Sequence, residues 1–157
     1  KSFLNRFLGG VDIFYDMLLA LKNQNMEIFE KKLQDILLTK ISYHDIGKEE
    51  KYYHNLVLGM MLSMSREYEI YSNQESGYGR YDISIEPKEK DKIAFILEFK
   101  LAKSEEELEK KAKEALLQIE EKRYDVGIQK RGKQKIVKLG IAFCGKKVRV
   151  YQQDRLK

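Results

Sequence analysis

The sequence predicts an α/β domain with the order helices, hairpin, helix, hairpin. Three observations carry this. Up to about Arg66, apolar residues recur every three or four positions, which lays stripes along helices. Residues 81–85 and 93–102 then alternate or run apolar on either side of a polar turn. A helical segment and a second alternating pair close the chain.

The first segment, "VDIFYDMLLAL" (residues 11–21), is dense in Leu, Phe and Ile before the polar "KNQN" interrupts it. The second carries Met26, Phe29, Leu33, Ile36 and Leu37 on one stripe, so two packed helices are expected. "TKISYHDIGKEE" reads as a connection. A third helix, residues 49–66, has Tyr53, Leu56, Val57, Met60, Met61 and Met64 on one side and Leu58 and Leu62 opposite, the pattern of a buried helix.

Next, "QESGYGRYDISIEP" breaks at Gly77 and Gly79 and then alternates with period two. "PKEKDK" supplies the turn of a hairpin, and the apolar "IAFILEFKLA" follows. Pairing Asp82 with Glu98 sets Tyr81, Ile83 and Ile85 opposite Phe99, Leu97 and Phe95. Asp82, Ser84, Glu98 and Lys100 then share the other face, and a slip of one residue would bury the acids among the apolar side chains. Ser104 and Glu107 form a capping box for a helix with the stripe Leu108, Ala112, Ala115, Leu116 and Ile119, Gln118 lying on its border. Val137, Leu139, Ile141 and Phe143 alternate before a turn at Gly145 and a last strand.

Composition bounds the function. At 157 residues the chain is about one domain long, and 43% hydrophobic with 35% charged residues and one Pro describes a soluble chain that folds throughout. Lone Cys144 excludes an internal disulfide and a thiolate zinc site, which points to a reducing compartment, the cytoplasm. The longest apolar helical run, "LVLGMMLSM", is far short of the ~20 residues that cross a bilayer. The start lacks an initiating Met and a signal-like core, so the sequence reads as a piece of something longer. A net charge of +5 is a mild excess that agrees with a polyanionic partner.

The charges inside the apolar run pose the chemical question. The tripeptide acid-x-Lys also occurs at Glu30, Glu49, Glu86, Glu109 and Glu120, so it means nothing alone. Glu98 is read as the one that lies within an apolar strand, with Asp82 beside it and Lys100 two residues on. Two carboxylates suit Mg²⁺ or Mn²⁺, and a Lys can position a water or offset charge on a phosphate. The plainer reading is a surface ion pair on an edge strand. Arg80, after Gly77 and Gly79, either binds phosphate with backbone close to the ligand or is an ordinary loop arginine. Glu50 and His54, four apart on a helix, either reach the metal or its water or bracket a core helix. Gln118 and Tyr124 are, on physics alone, an ordinary border amide and helix-end phenol. No Walker loop, Cys pair, HExxH or GxSxG is present.

The series "GRYDISI", "FILEFK" and "ALLQI…Y" resembles the PD-(D/E)xK nuclease superfamily, with Asp82, Glu98 and Lys100 at the motif positions. Its Pro is replaced by Tyr81, as is frequent in that superfamily. "EEKYYH", "GYGRYDI", "EFK", "AKEALLQIEEKRY" and "LGIAFCGKKVRV" look more narrowly like the nuclease-like domain that follows an AAA-type ATPase module in many bacterial proteins. The resemblance implies a restriction-endonuclease-like core, a mixed central sheet flanked by helices, over residues 47–157, with residues 1–46 as a helical connector. It implies Asp82 and Glu98 as metal ligands, joined by Glu50 from the first core helix. Lys100 and Gln118 complete the catalytic set, with Arg80 and Tyr124 toward nucleic acid and His54 as a supporting group. The expected function is a Mg²⁺- or Mn²⁺-dependent nuclease acting on nucleic acid, DNA ahead of RNA, with an ATPase module and a homodimer as further partners. The alternative is a catalytically silent module that binds nucleic acid or a protein partner for an associated ATPase.

Overall fold

The structure, a computed structural model, describes residues 12–41 and 49–152. Helices α1 (Asp12–Lys22) and α2 (Met26–Lys40) pack together, the second capped by Asn25, whose side chain accepts from the Ile28 N–H. Helix α3 (Glu50–Met61) runs into a 3₁₀ turn, Leu62–Met64. Strand β1 (Tyr68–Ser72), a small hairpin of β2 (Glu75–Ser76) and β3 (Gly79–Arg80), β4 (Ile83–Pro87) and β5 (Ala94–Leu101) follow. Helices α4 (Leu108–Glu121) and α5 (Asp125–Lys130) lead to β6 (Ile136–Cys144) and β7 (Lys147–Gln152).

Five strands form one sheet in the order β1-β4-β5-β6-β7. Only β5 and β6 run parallel, because α4 and α5 carry the chain across between them; the other pairs are antiparallel. The sheet is therefore mixed and flanked by helices, as expected. Residues 94–99 of β5 are all buried, which is why that strand reads as a continuous apolar run rather than a clean alternation. On one face Ile83, Ile85, Phe95, Leu97 and Phe99 join Phe14, Met17, Leu21, Phe29, Leu33 and Val57 from α1 to α3. On the other, Ala94 and Ile96 meet Ile119 of α4, Ile128 of α5 and Tyr124 between the two helices. Helix α2 also covers the sheet edge: the Val148 and Val150 N–H groups of β7 donate to Gln34 Oε1 at 2.9 Å and Glu30 Oε2 at 2.7 Å.

The β4–β5 register is the one that the alternation specifies, Ile83 opposite Leu97 and Ile85 opposite Phe95. Tyr81 departs from it. The ladder ends at Ile83 and the chain bends at Asp82, so Tyr81 turns into the second core beside Tyr124, with its hydroxyl 2.8 Å from Ser84 Oγ. The capping box does not close: Ser104 precedes a 3₁₀ turn, Glu105–Glu107, and makes no side-chain cap, so α4 starts only at Leu108. Helix α3 is shorter and less enclosed than the apolar count suggests, ending at Met61 with Leu62 49% exposed. The short strands β1 to β3 and helix α5 have no expectation above. The division at residues 46 and 47 lies outside the described residues. No helix among the described residues is long and apolar enough to cross a membrane.

Gly140 of β6 sets how closely α4 lies on the sheet. A Cβ there would stand 2.1 Å from the Ala112 carbonyl oxygen and 2.6 Å from the Leu116 nitrogen, so any side chain must push the helix away. Gly140→Ala should destabilise the fold by about 1–3 kcal/mol, the range for overpacking. A lowered urea midpoint with an unchanged slope is the expected result, and an unchanged midpoint would contradict this packing.

Candidate active site

Where β4 stops, side chains replace the next rung of the ladder. The Asp82 N–H donates to Glu98 Oε1 at 3.2 Å, and the Phe99 N–H donates to Asp82 Oδ2 at 2.8 Å. Each strand thus grips the other's carboxylate with its own main chain. Glu98 is 5% exposed, and burial, followed by the Asp82 charge, drives its carboxyl well above the usual carboxylate range. Lys100, half-buried on the same face of β5, works the other way: its charge favours the ionised forms of Glu98 and Glu50. Among the described residues Lys100 makes no hydrogen bond or ion pair, so its ammonium stays available to an incoming group.

Helix α4 closes the site from above. Gln118 Nε2 donates to Glu98 Oε2 and, at 3.1 Å, to the Tyr124 hydroxyl. Tyr124, expected to touch nucleic acid, is 2% exposed. A ring so buried offers no face to a base; it holds Gln118 against Glu98 instead. The glycines before Arg80 serve this same packing rather than a ligand. Gly77, at φ +59°, would place a Cβ 2.2 Å from the Arg123 carbonyl oxygen, and a Cβ on Gly79 would lie 3.2 Å from the Tyr124 hydroxyl. The Arg80 side chain is exposed at the end of β3, two residues before Asp82.

Helix α3 supplies the remaining candidates. Glu50 stands in its first turn at the rim. Although its surface reaches solvent, partial burial, then the Asp82 charge, raises its proton affinity against the opposing effect of Lys100. His54 is buried one turn on, with Nδ1 3.7 Å from Asp82 Oδ1, Nε2 2.7 Å from Ser72 Oγ and its ring edge-on to Phe99. It is placed to fix the Asp82 carboxylate.

Glu86 corrects one premise. It too lies within a strand, β4, and is more buried than Glu98 at 2% exposure. What distinguishes it is a partner: Arg131, directly after α5, grips it through Nε at 2.8 Å and Nη2 at 2.7 Å, and Ser84 Oγ lies 2.8 Å from it. The ion pair neutralises Glu86, while Glu98 keeps an acid for its nearest charged neighbour. Buried Lys138 is likewise matched, 3.1 Å from Glu120 and 3.8 Å from Asp125. Ser72, the support for His54, sits on a strand that the sequence pattern does not mark. An "YEIYS" run bounded by polar residues was the available signal.

Among the described residues no three His, Cys, Asp or Glu side chains converge as a ready-made metal cage. The paired carboxylates still fit Mg²⁺ or Mn²⁺, hard cations that one or two carboxylates hold while water and substrate phosphates complete the shell. Burial, the larger cause, and then the Asp82 charge raise the Glu98 carboxyl, and a divalent ion between the two acids would oppose both.

No curated protein and no solved structure matches the chain. The family profile of the PD-(D/E)XK nuclease superfamily matches residues 48–153, more than half of the chain and the whole stretch from α3 to β7. The chain belongs to the PD-(D/E)XK nuclease superfamily.

Proposed function

We propose that this domain hydrolyses phosphodiester bonds of nucleic acid, DNA in the first instance, with Mg²⁺ or Mn²⁺ held by Asp82 and Glu98. The observation that supports this best is the exchange at the end of β4, which brings two carboxylates together with Lys100 on the same face. Membership of the superfamily suggests the reaction class. An associated ATPase module belongs to the same proposal and rests on the sequence resemblance.

When bound, the cation supplies a water of lowered pKa and positive charge for the phosphate oxygens. Glu98 must give up its proton to serve as a ligand, which Lys100 favours and burial opposes. Gln118 donates to Glu98 Oε2 and leaves Oε1 turned toward Asp82, so the amide fixes which oxygen faces the pocket. His54 holds Asp82 from the other side. Lys100 is the electrostatic helper, placed to orient the attacking water or to offset charge that develops on the phosphate. Glu50 at the rim is a further candidate ligand once substrate is present.

Hydrolysis of plasmid DNA should vanish with EDTA and return with Mg²⁺ or Mn²⁺. Asp82→Asn should abolish it, and Lys100→Met should lower the turnover number by about 10²–10³-fold with the fold intact. Wild-type rates in purified Asp82→Asn protein would sink the assignment.

A second expectation follows from the Glu98 proton. Its folded-state pKa lies above the unfolded value, so the stability this group contributes is complete below the ordinary glutamate range and is lost as pH rises through the raised value. In chelator, wild-type stability should fall between about pH 5 and pH 8. Glu98→Gln should flatten that fall and be the more stable protein at pH 8, by at least about 1 kcal/mol, while losing hydrolysis. Parallel pH profiles for the two proteins would contradict the account.

A further inference from the structure

The hairpin of β2 and β3 ends in "SGYGR", whose middle residue is Tyr78. It is 73% exposed, an unusual position for an aromatic ring. The main chain beneath it is fixed at every step. The Tyr78 N–H donates to the Lys122 carbonyl oxygen at 2.8 Å; Ser76 Oγ bonds the Tyr124 carbonyl and receives the Gly127 N–H at 2.8 Å. Gly77 and Gly79 allow contacts with Arg123 and Tyr124 that no side chain would permit. Through Tyr124 and Gln118 the same scaffold reaches Glu98.

Three exposed cations lie on the hairpin and on the segment it packs against. Arg80 follows on the strand, and Lys122 and Arg123 are exposed on the α4–α5 junction against which the hairpin is pinned. Glu75 is the cross-strand neighbour of Arg80 and the acid of the hairpin itself. A solvent-facing aromatic on a pinned main chain, with three exposed cations on the same and the adjoining segment, has the chemistry that recognises single-stranded nucleic acid: bases stack on the ring while phosphates meet the charges. A continuous duplex hides its base faces and would offer only the phosphates.

We propose that the β2–β3 hairpin is a substrate-positioning element in which Tyr78 stacks on an unpaired base, with Arg80, Lys122 and Arg123 on the flanking phosphates. The hairpin thereby selects single-stranded or locally unpaired nucleic acid for the neighbouring carboxylates. This deepens the nuclease reading and rests on it. Tyr78 is a positioning residue, not a catalytic one.

The sequence contains no Trp, so Tyr78→Trp introduces a single tryptophan, excited selectively over the tyrosines, at the tip of the hairpin. In chelator, where no hydrolysis occurs, oligo-dT should quench that fluorescence, and the same strand annealed to its complement should not. Tyr15→Trp, placed on α1 across the sheet at a 60% exposed position, should report no change. By anisotropy of labelled oligo-dT, Tyr78→Ala should bind about tenfold more weakly with an unchanged melting temperature, and Tyr78→Phe should retain affinity. Binding without quenching at position 78, equal quenching by duplex, or undiminished affinity of Tyr78→Ala would each overturn the proposal and leave the metal site standing. Absence of all nucleic-acid binding by wild type would overturn the nuclease reading together with it.

Discussion

Two carboxylates that grip each other's backbone hold this site together. An antiparallel pair of strands would normally continue through main-chain hydrogen bonds, but at Asp82 the chain bends away, and the vacated partners are taken by side chains. The substitution satisfies the backbone at the cost of bringing two acids together in a poorly solvated place. Neither acid can move alone without leaving a main-chain N–H unpaired. The geometry that suits a cation is thus maintained by the fold itself.

Everything around the pair serves that arrangement from one of two sides. Gly140 lets α4 settle onto β6, which brings Gln118 over Glu98; Tyr124 and the glycine-bearing hairpin then lock the far end of α4. From the opposite face, α3 brings His54 to Asp82, with Ser72 of β1 fixing the imidazole. Glu86 shows the contrast between a structural and a chemical acid. It is as deeply placed as Glu98, yet a bidentate arginine neutralises it, which leaves no unmet charge. Glu98 instead faces another acid, and burial together with the Asp82 charge raises its carboxyl.

The β4–β5 register was legible because alternation with period two states which side chains share a face. Ile83, Ile85, Phe95 and Leu97 dictated the register, and the register put Asp82 beside Glu98. Alternation could not reveal that the ladder stops at Ile83 and leaves Asp82 outside it, because a bend is set by the partners that the backbone finds, here Asn73 and Gln74. Tyr81 was consequently placed in the wrong core. Tyr124 looked like an ordinary phenol, since its burial comes from a two-residue strand and two glycines whose contacts are long-range. Strand β1 went unmarked because its half-exposed residues show little contrast between faces. Ser104 followed by Glu107 has the spacing of a capping box, but the chain uses a 3₁₀ turn there, so spacing alone misread the start of α4.

The central claim is that Asp82 and Glu98 form one cation site whose occupation expels a proton. Calorimetric titration of Mn²⁺ near neutral pH, in two buffers of different ionisation enthalpy, measures it most directly. Wild type should bind with release of about one proton, and Asp82→Ala should lose that binding. Binding that releases no proton, or that survives unchanged in Asp82→Ala, would contradict the account.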